Sequence, residues 1–208
     1  MPLPMVHLAI ATGVSAKPSA EFLLGALAPD AIHMRPGTSR RDKNATHIVV
    51  DAREWPEAPV RRWLAGYRNS PAPLRELARG YAMHVLCDRL WGRTVFQSFR
   101  RAVSALDEAS LRALYYRETD QIDIDLYRTV PWREKVWRLL AEARAYDVAG
   151  LLTAGEIDAW RQRTLKWYDA PEHDPAIAPR YFTRARVEAY IEDAVSRMAE
   201  AHTWPEWR

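Results

Sequence analysis

Only one of the 208 residues is a cysteine, Cys87, which excludes an internal disulfide and every paired-cysteine redox or zinc motif. Any transition metal must then rest on nitrogen and oxygen donors, a set that suits zinc, manganese or iron. Long apolar runs are missing as well. No stretch approaches the roughly 18 residues of a membrane span, and the N-terminal MPLPMVHLAIATGV lacks a basic lead and is interrupted by Pro2 and Pro4. A cytoplasmic chain without a transmembrane segment is the expectation. Charge of one sign is not in excess: 30 lysines and arginines face 27 acids, for a net charge of +3. That balance gives little electrostatic reason to expect nucleic acid or an anionic membrane as partner. Arg35 to Lys43 (RPGTSRRDK) is the one basic cluster. Internal repeats, low-complexity tracts and sustained strand-period alternation are absent too.

Hydrophobic residues are plentiful, at 48%, and the length suffices to bury one substantial core. The spacing predicts an all-α, multi-helix bundle with residues 1–208 as a single helical metal-binding domain. Short helices are expected over Met5 to Val14, opened by Pro4, and Ser19 to Leu27, closed by the Ala28-Pro29-Asp30 turn. Gly37 to Val50 reads as loop, ending in the apolar run HIVV. A Pro-bounded helix follows near Val60 to Tyr67. The clearest signal runs from Pro73 to about Leu106, with Leu74, Leu77, Tyr81, His84, Val85, Asp88 and Trp91 at helical spacing. Further helices are expected over Glu108 to Tyr116, Trp132 to Tyr146, after the Thr153-x-x-Glu156 capping box, and over Thr183 to Ala201. Pro171 to Pro179 reads as a linker-like break. The nine tryptophans, several in amphipathic segments, leave room for an oligomer interface.

His84 and Asp88 stand four apart, so on a helix both side chains reach one metal ion. An ionised carboxylate on an apolar stripe is costly unless paired or metal-bound. The competing readings are a His-Asp hydrogen bond or a salt bridge from Asp88 to Arg89 or Arg79. His7, between Val6 and Leu8, is either a ligand or a satisfied core histidine. Asp30 after proline is either a ligand or an N-cap for Ala31 onward, and His33 is either a further ligand or a surface residue. His47 sits where loop meets apolar run, a common place for functional histidines. Asp120, Asp123 and Asp125, preceded by Tyr115 and Tyr116, offer an extra ligand or a general base, although a solvated acidic face is the better reading. Arg35, Arg40, Arg41 and Lys43 could clamp a phosphate or merely solubilise a loop. His173, beside Glu172 and Asp174, reads as exposed, and Cys87 as packing.

Taken in order, His7 in PMVHLAIA, Asp30 in LLGALAPDAIH, His47 in KNATHIVV, and His84 with Asp88 in GYAMHVLCDRLW resemble the zinc-dependent phospholipase C fold. The S1/P1-type nucleases share that fold, and the likeness is to its small intracellular bacterial branch of uncharacterised function. The motifs cover Met1 to Trp91. The resemblance implies that Asp30, His47, His84 and Asp88 form one metal site and that Asp88 bridges to a second ion near His7. In a metal-dependent hydrolase Asp30 could double as ligand and proton acceptor. The chain departs from the secreted enzymes in having no cleaved signal that would expose an N-terminal tryptophan ligand. His202 and Glu206 have the downstream His-x-x-x-Glu spacing, but Pro205 interrupts a helix there. One or two ions are therefore expected rather than three.

These readings converge on a metal-dependent hydrolase, with zinc the expected ion, of a small-molecule or lipid-like phosphate ester, in which the ion activates water. The alternative from another class is a non-catalytic metal-stabilised bundle acting as scaffold or sensor. A third reading is a metal-free buried hydrogen-bond network. An HD-type phosphohydrolase needs an adjacent His-Asp pair on a bundle helix, and the only such dipeptide, His173-Asp174, lies among prolines.

Overall fold

The computed structural model describes residues 3–49, 57–201 and 203–207. The helices are α1 (Pro4–Val14), α2 (Ala20–Gly25), α3 (Arg40–Thr46), α4 (Glu57–Ala65), α5 (Ala72–Trp91), α6 (Gln97–Ala102), α7 (Glu108–Thr129), α8 (Arg133–Glu142), α9 (Ala154–Trp167) and α10 (Arg184–Ala201). Among the described residues there is no strand, only an isolated bridge between Val148 and Leu152. The expected all-helical class is what the chain adopts.

α1 is apolar almost all round, burying Met5, Val6, His7, Leu8, Ile10 and Ala11. Such a helix belongs inside a bundle rather than on its surface. Pro4 pre-sets its first turn, but the N-cap residue Leu3 offers no side-chain acceptor. Asp123 of α7 supplies one across the core, its Oδ1 accepting the Met5 N–H at 3.0 Å.

α2 crosses α5 at backbone contact. A Cβ on Gly25 would stand 2.1 Å from the Leu77 carbonyl oxygen, and one on Gly80 would stand 2.0 Å from that of Phe22. Neither position admits even a methyl group, so two glycines set the depth of the crossing. The chain then winds through a 3-10 segment, Ala28–Met34, carrying Asp30 along α5. Arg35 pins the end of that segment to α9, with Nε donating to Glu156 at 2.6 Å and Nη2 to the Leu151 carbonyl at 2.9 Å.

Four elements differ from expectation. The helix expected from Pro73 to about Leu106 is divided: α5 ends at Trp91, a π-helical stretch covers Gly92–Phe96, and α6 ends at Ala102. Residues 40–46, read as loop, form α3, which starts at a capping box in which the Ser39 hydroxyl and Asp42 carboxylate each satisfy the other's backbone N–H. Only Thr46 of this short polar helix is buried, so no apolar period announces it. α7 runs on past Tyr116 to Thr129 because Glu118, Gln121 and Asp123 occupy inward positions that a pattern reader scores as outward. α8 stops at Glu142, short of Tyr146. The break at 171–179 is irregular apart from one turn, Pro171–His173, yet it is tied down: Ile177 N–H donates to Gln121 Oε1 at 2.9 Å.

Candidate metal centre

His7, Asp30, His47, His84 and Asp88 come together from four places in the chain. α5 supplies His84 and Asp88, one turn apart on the face that meets α1 and α2. α1 supplies His7, whose ring stacks on His84 with centroids 3.8 Å apart and planes at 10°. The glycine crossing brings the Ala26 carbonyl to 2.8 Å from His84 Nδ1 and delivers Asp30 just beyond it. α3 supplies His47 at its C-terminal end, where the Tyr81 hydroxyl donates to the Thr46 carbonyl at 2.5 Å and fastens the helix end to α5. The chain leaves His47 through Ile48, a β-branched residue held at φ 51°. That left-handed conformation is costly for isoleucine and marks a turn imposed by its surroundings.

The ring orientations follow from the backbone. A carbonyl oxygen only accepts, so the 2.8 Å contact makes His84 Nδ1 the donor to Ala26 and turns Nε2 inward. His47 is fixed the same way, Nδ1 donating to the Lys43 carbonyl at 3.0 Å. An outer contact on one ring nitrogen that frees the other is how histidines are aimed at metals.

Inward-facing atoms converge closely. His47 Nε2 lies 3.5 Å from Asp30 Oδ1 and 3.3 Å from Asp88 Oδ2; His7 Nε2 lies 3.3 Å from Asp88 Oδ1. His84 Nε2 is 3.9 Å from Asp30 Oδ2 and from Asp88 Oδ2. Donor atoms of Asp30, His47 and His84 lie within 4.8 Å of one another, as do those of His7, His84 and Asp88. Two ligands on a tetrahedral zinc are separated by about 3.3 Å, from bond lengths near 2.0–2.1 Å. Asp88 turns one carboxylate oxygen toward His7 and the other toward His47 and His84. Of the expected alternatives for its charge, the arginine salt bridge is excluded among the described residues: Arg79 pairs with Glu76 at 2.5 Å and Arg89 makes no ion pair with Asp88, whereas the His-Asp contact is present, at 3.3 Å to His7 and to His47. Asp30 lies inside its 3-10 segment and caps no helix.

Burial drives the charges in opposite directions. His84 is pushed down to about 3 by burial and by the adjacent His7, so its imidazole is neutral. Burial also works against a charge on His47, but pairing with Asp30 and Asp88 outweighs it and lifts that histidine to about 9. Burial would raise both carboxyls; contact with His47 and His84 instead holds Asp30 and Asp88 below the usual carboxylate range. His7 Nε2, Asp30 Oδ1, His47 Nε2, His84 Nε2 and Asp88 Oδ1 nevertheless have no hydrogen-bond partner among the described residues. Leaving a buried polar atom unpartnered costs about 1–3 kcal/mol each.

A cleft of about 450 Å³ opens beside Asp30, walled by Trp160 and Trp167 and bearing His33, Lys43, Arg163 and Asp120. His33 is half-exposed, 3.8 Å from Asp30, and receives a hydrogen bond from Lys43 Nζ at 3.2 Å. The acidic trio of α7 splits. Asp120 lines the cleft, its carboxyl raised to about 6 by burial and eased down by His173. Asp123 is fully buried as the α1 cap and hydrogen-bonds Tyr168, which corrects the solvated-face reading. Asp125 accepts from Gln121. In the basic cluster Arg35 is committed to Glu156 and stands apart from the five residues. His173 stacks on Trp167, Cys87 is buried and Glu206 pairs with Arg61, while His202 lies outside the described residues. Sequence reasoning missed Gly25 and Gly80, whose only signal is two glycines inside helical patterns, and Tyr81 as an anchor rather than mere core.

No helix among the described residues is long and apolar enough to cross a membrane. No protein-family model matches the sequence, and neither a curated protein nor a solved structure matches the chain, so its chemistry has to be read from the side chains themselves.

Proposed function

We propose that His7, Asp30, His47, His84 and Asp88 hold one or two transition-metal ions, zinc foremost with manganese or iron as alternatives, and that the chain hydrolyses a phosphate ester. The observation that carries this reading is the convergence of five buried nitrogen and oxygen atoms that make no hydrogen bond among the described residues and lie at near-ligand spacing. A metal-free polar network accounts for them poorly, because a network stabilises only when its members are bonded. The likeness of the ordered motifs to the zinc-dependent phospholipase C fold supports the same assignment.

An ion held here supplies Lewis acidity and activates water. The protein's own groups do the rest. Asp30, held ionised, suits the ligand role better than that of a base. Asp120, with its carboxyl near 6, is better matched to passing a proton to a departing alkoxide at neutral pH. Lys43 and Arg163 bring positive charge to the cleft that can offset charge developing on the departing oxygen, and Trp160 and Trp167 provide an apolar wall for the organic group. A metal-stabilised scaffold draws support from the near-complete burial of His7 and His84, but the cleft at Asp30 favours catalysis, since structural sites are closed.

The test is metal content per chain by plasma mass spectrometry on untagged protein, followed by a panel of p-nitrophenyl phosphate mono- and diesters. About one or two equivalents are expected, lost in a folded His84→Ala plus Asp88→Ala variant together with hydrolysis. Wild type that stays metal-free after reconstitution with each ion refutes the proposal; metal without turnover of any ester leaves the scaffold reading.

A further inference from the structure

A second opening reaches the same residues from another side. Arg40, Lys43, Asn44 and His47 fall at i, i+3, i+4 and i+7 and share one face of α3. Val85, Asp88 and Arg89 likewise share one face of α5. Between the two faces runs a groove of about 270 Å³ with His47 and Asp88 among its lining residues and cations on both rims. The groove and the aromatic cleft have only Lys43 in common among their lining residues, and they touch different members of the cluster: Asp30 from the cleft, His47 and Asp88 from the groove.

Of the three cations of this groove, Lys43 donates to His33 and the two arginines are uncommitted among the described residues. Arg40 and Arg89 make no ion pair or side-chain hydrogen bond with another described residue, in contrast to Arg35 and Arg79. Three positive side chains facing one small groove are complemented by a tetrahedral oxyanion with several acceptor oxygens.

We propose that the α3–α5 groove is an oxyanion site that takes a phosphate group, with Arg40, Lys43 and Arg89 as its donors, separate from the cleft that takes the organic part of the ester. This rests on the hydrolase reading for its biological use but not for its binding chemistry. Displacement at phosphorus places the entering and leaving oxygens roughly in line. A cluster reached through two openings can hold the phosphoryl group from one and the leaving group from the other, and can release phosphate without first emptying the cleft.

The experiment is titration of inorganic phosphate into the full-length chain by calorimetry, in metal-free and zinc-loaded form, with zinc content and circular dichroism recorded for every variant. Arg40→Ser plus Arg89→Ser should weaken phosphate binding by about tenfold or more with zinc content unchanged, the loss of at least one charge-assisted bond. Trp160→Ala in the cleft should leave phosphate affinity within about twofold, well under one such bond. Affinity that survives the double arginine variant, or wild type that binds no phosphate in either form, overturns the inference. A chain that takes up no zinc yet binds phosphate through Arg40 and Arg89 upholds the oxyanion site while refuting the metal centre, so the two failures are distinct.

Discussion

α5 and α7 each bury carboxylates, and they treat them in contrary ways. Glu118 of α7 accepts three consecutive backbone N–H groups, from Arg180 at 3.0 Å, Tyr181 at 2.7 Å and Phe182 at 3.0 Å. Asp123 accepts from Met5 and bonds Tyr168, and burial raises it to about 8, so it is a neutral carboxyl at physiological pH. Every one of those contacts is a structural fastening. Around α5 the carboxylates of Asp30 and Asp88 face only imidazoles, and one oxygen of each has no hydrogen-bond partner among the described residues. A buried acid surrounded by backbone donors is explained by the fold it secures; one surrounded by ring nitrogens is not.

The sharpest break in this contrast should come from the crossing that supports one region and not the other. Gly80→Ala places a methyl group against the Phe22 carbonyl, and we expect a loss of about 3 kcal/mol or more in urea unfolding together with loss of metal uptake. A variant of wild-type stability and metal content would show that backbone contact does not hold the ligand cluster.

Next in size is an exchange of roles. Glu118→Ala strands up to three N–H groups and should cost about 2–3 kcal/mol in denaturant unfolding while leaving metal content at the wild-type level. The His84→Ala plus Asp88→Ala pair should do the reverse, abolishing metal uptake at a smaller cost to metal-stripped protein, because it removes atoms that make no hydrogen bond. Equal stability losses in both would erase the distinction.

The smallest effect concerns pH. The folded pKa of Asp123 is raised above its ordinary value of 3.8, so between about 4 and 8 the folded chain holds a proton that the unfolded chain releases. Its contribution to stability is therefore fully present below the unfolded pKa and is lost as pH rises through about 8. Asp123→Asn, which keeps a neutral planar side chain, should flatten that decline when unfolding is followed from pH 5 to 9. An unchanged slope would assign the decline to another group.

Where apolar periodicity and local chemistry agreed, the sequence was transparent. α1, α5, α9 and α10 carry Pro4, the Leu77–Tyr81–His84–Asp88 face, the Thr153–Glu156 box and an amphipathic run; each starts close to its expected place, and only α5 ends well short, at Trp91. α3 was opaque because its stability comes from a capping box and a tether by Tyr81 rather than from a buried stripe. α7 was opaque because its inward carboxylates find donors more than fifty residues away, at Arg180 to Phe182, and proximity of that kind has no local trace. All five proposed ligands could be named from the chain, yet their burial, their aiming by the Ala26 and Lys43 carbonyls, and the part played by Arg89 required the packing.

The contact between α2 and α5 also works as a fingerprint. Gly25 precedes Asp30 by five residues, and Gly80, His84 and Asp88 follow one another at intervals of four. Gly-x4-Asp followed downstream by Gly-x3-His-x3-Asp couples each spacing glycine to the side chain it positions, so the pattern describes a mechanical joint as well as a set of donors. Chains too diverged for overall comparison can be sorted by it, since histidine and aspartate without the two glycines would describe a different packing.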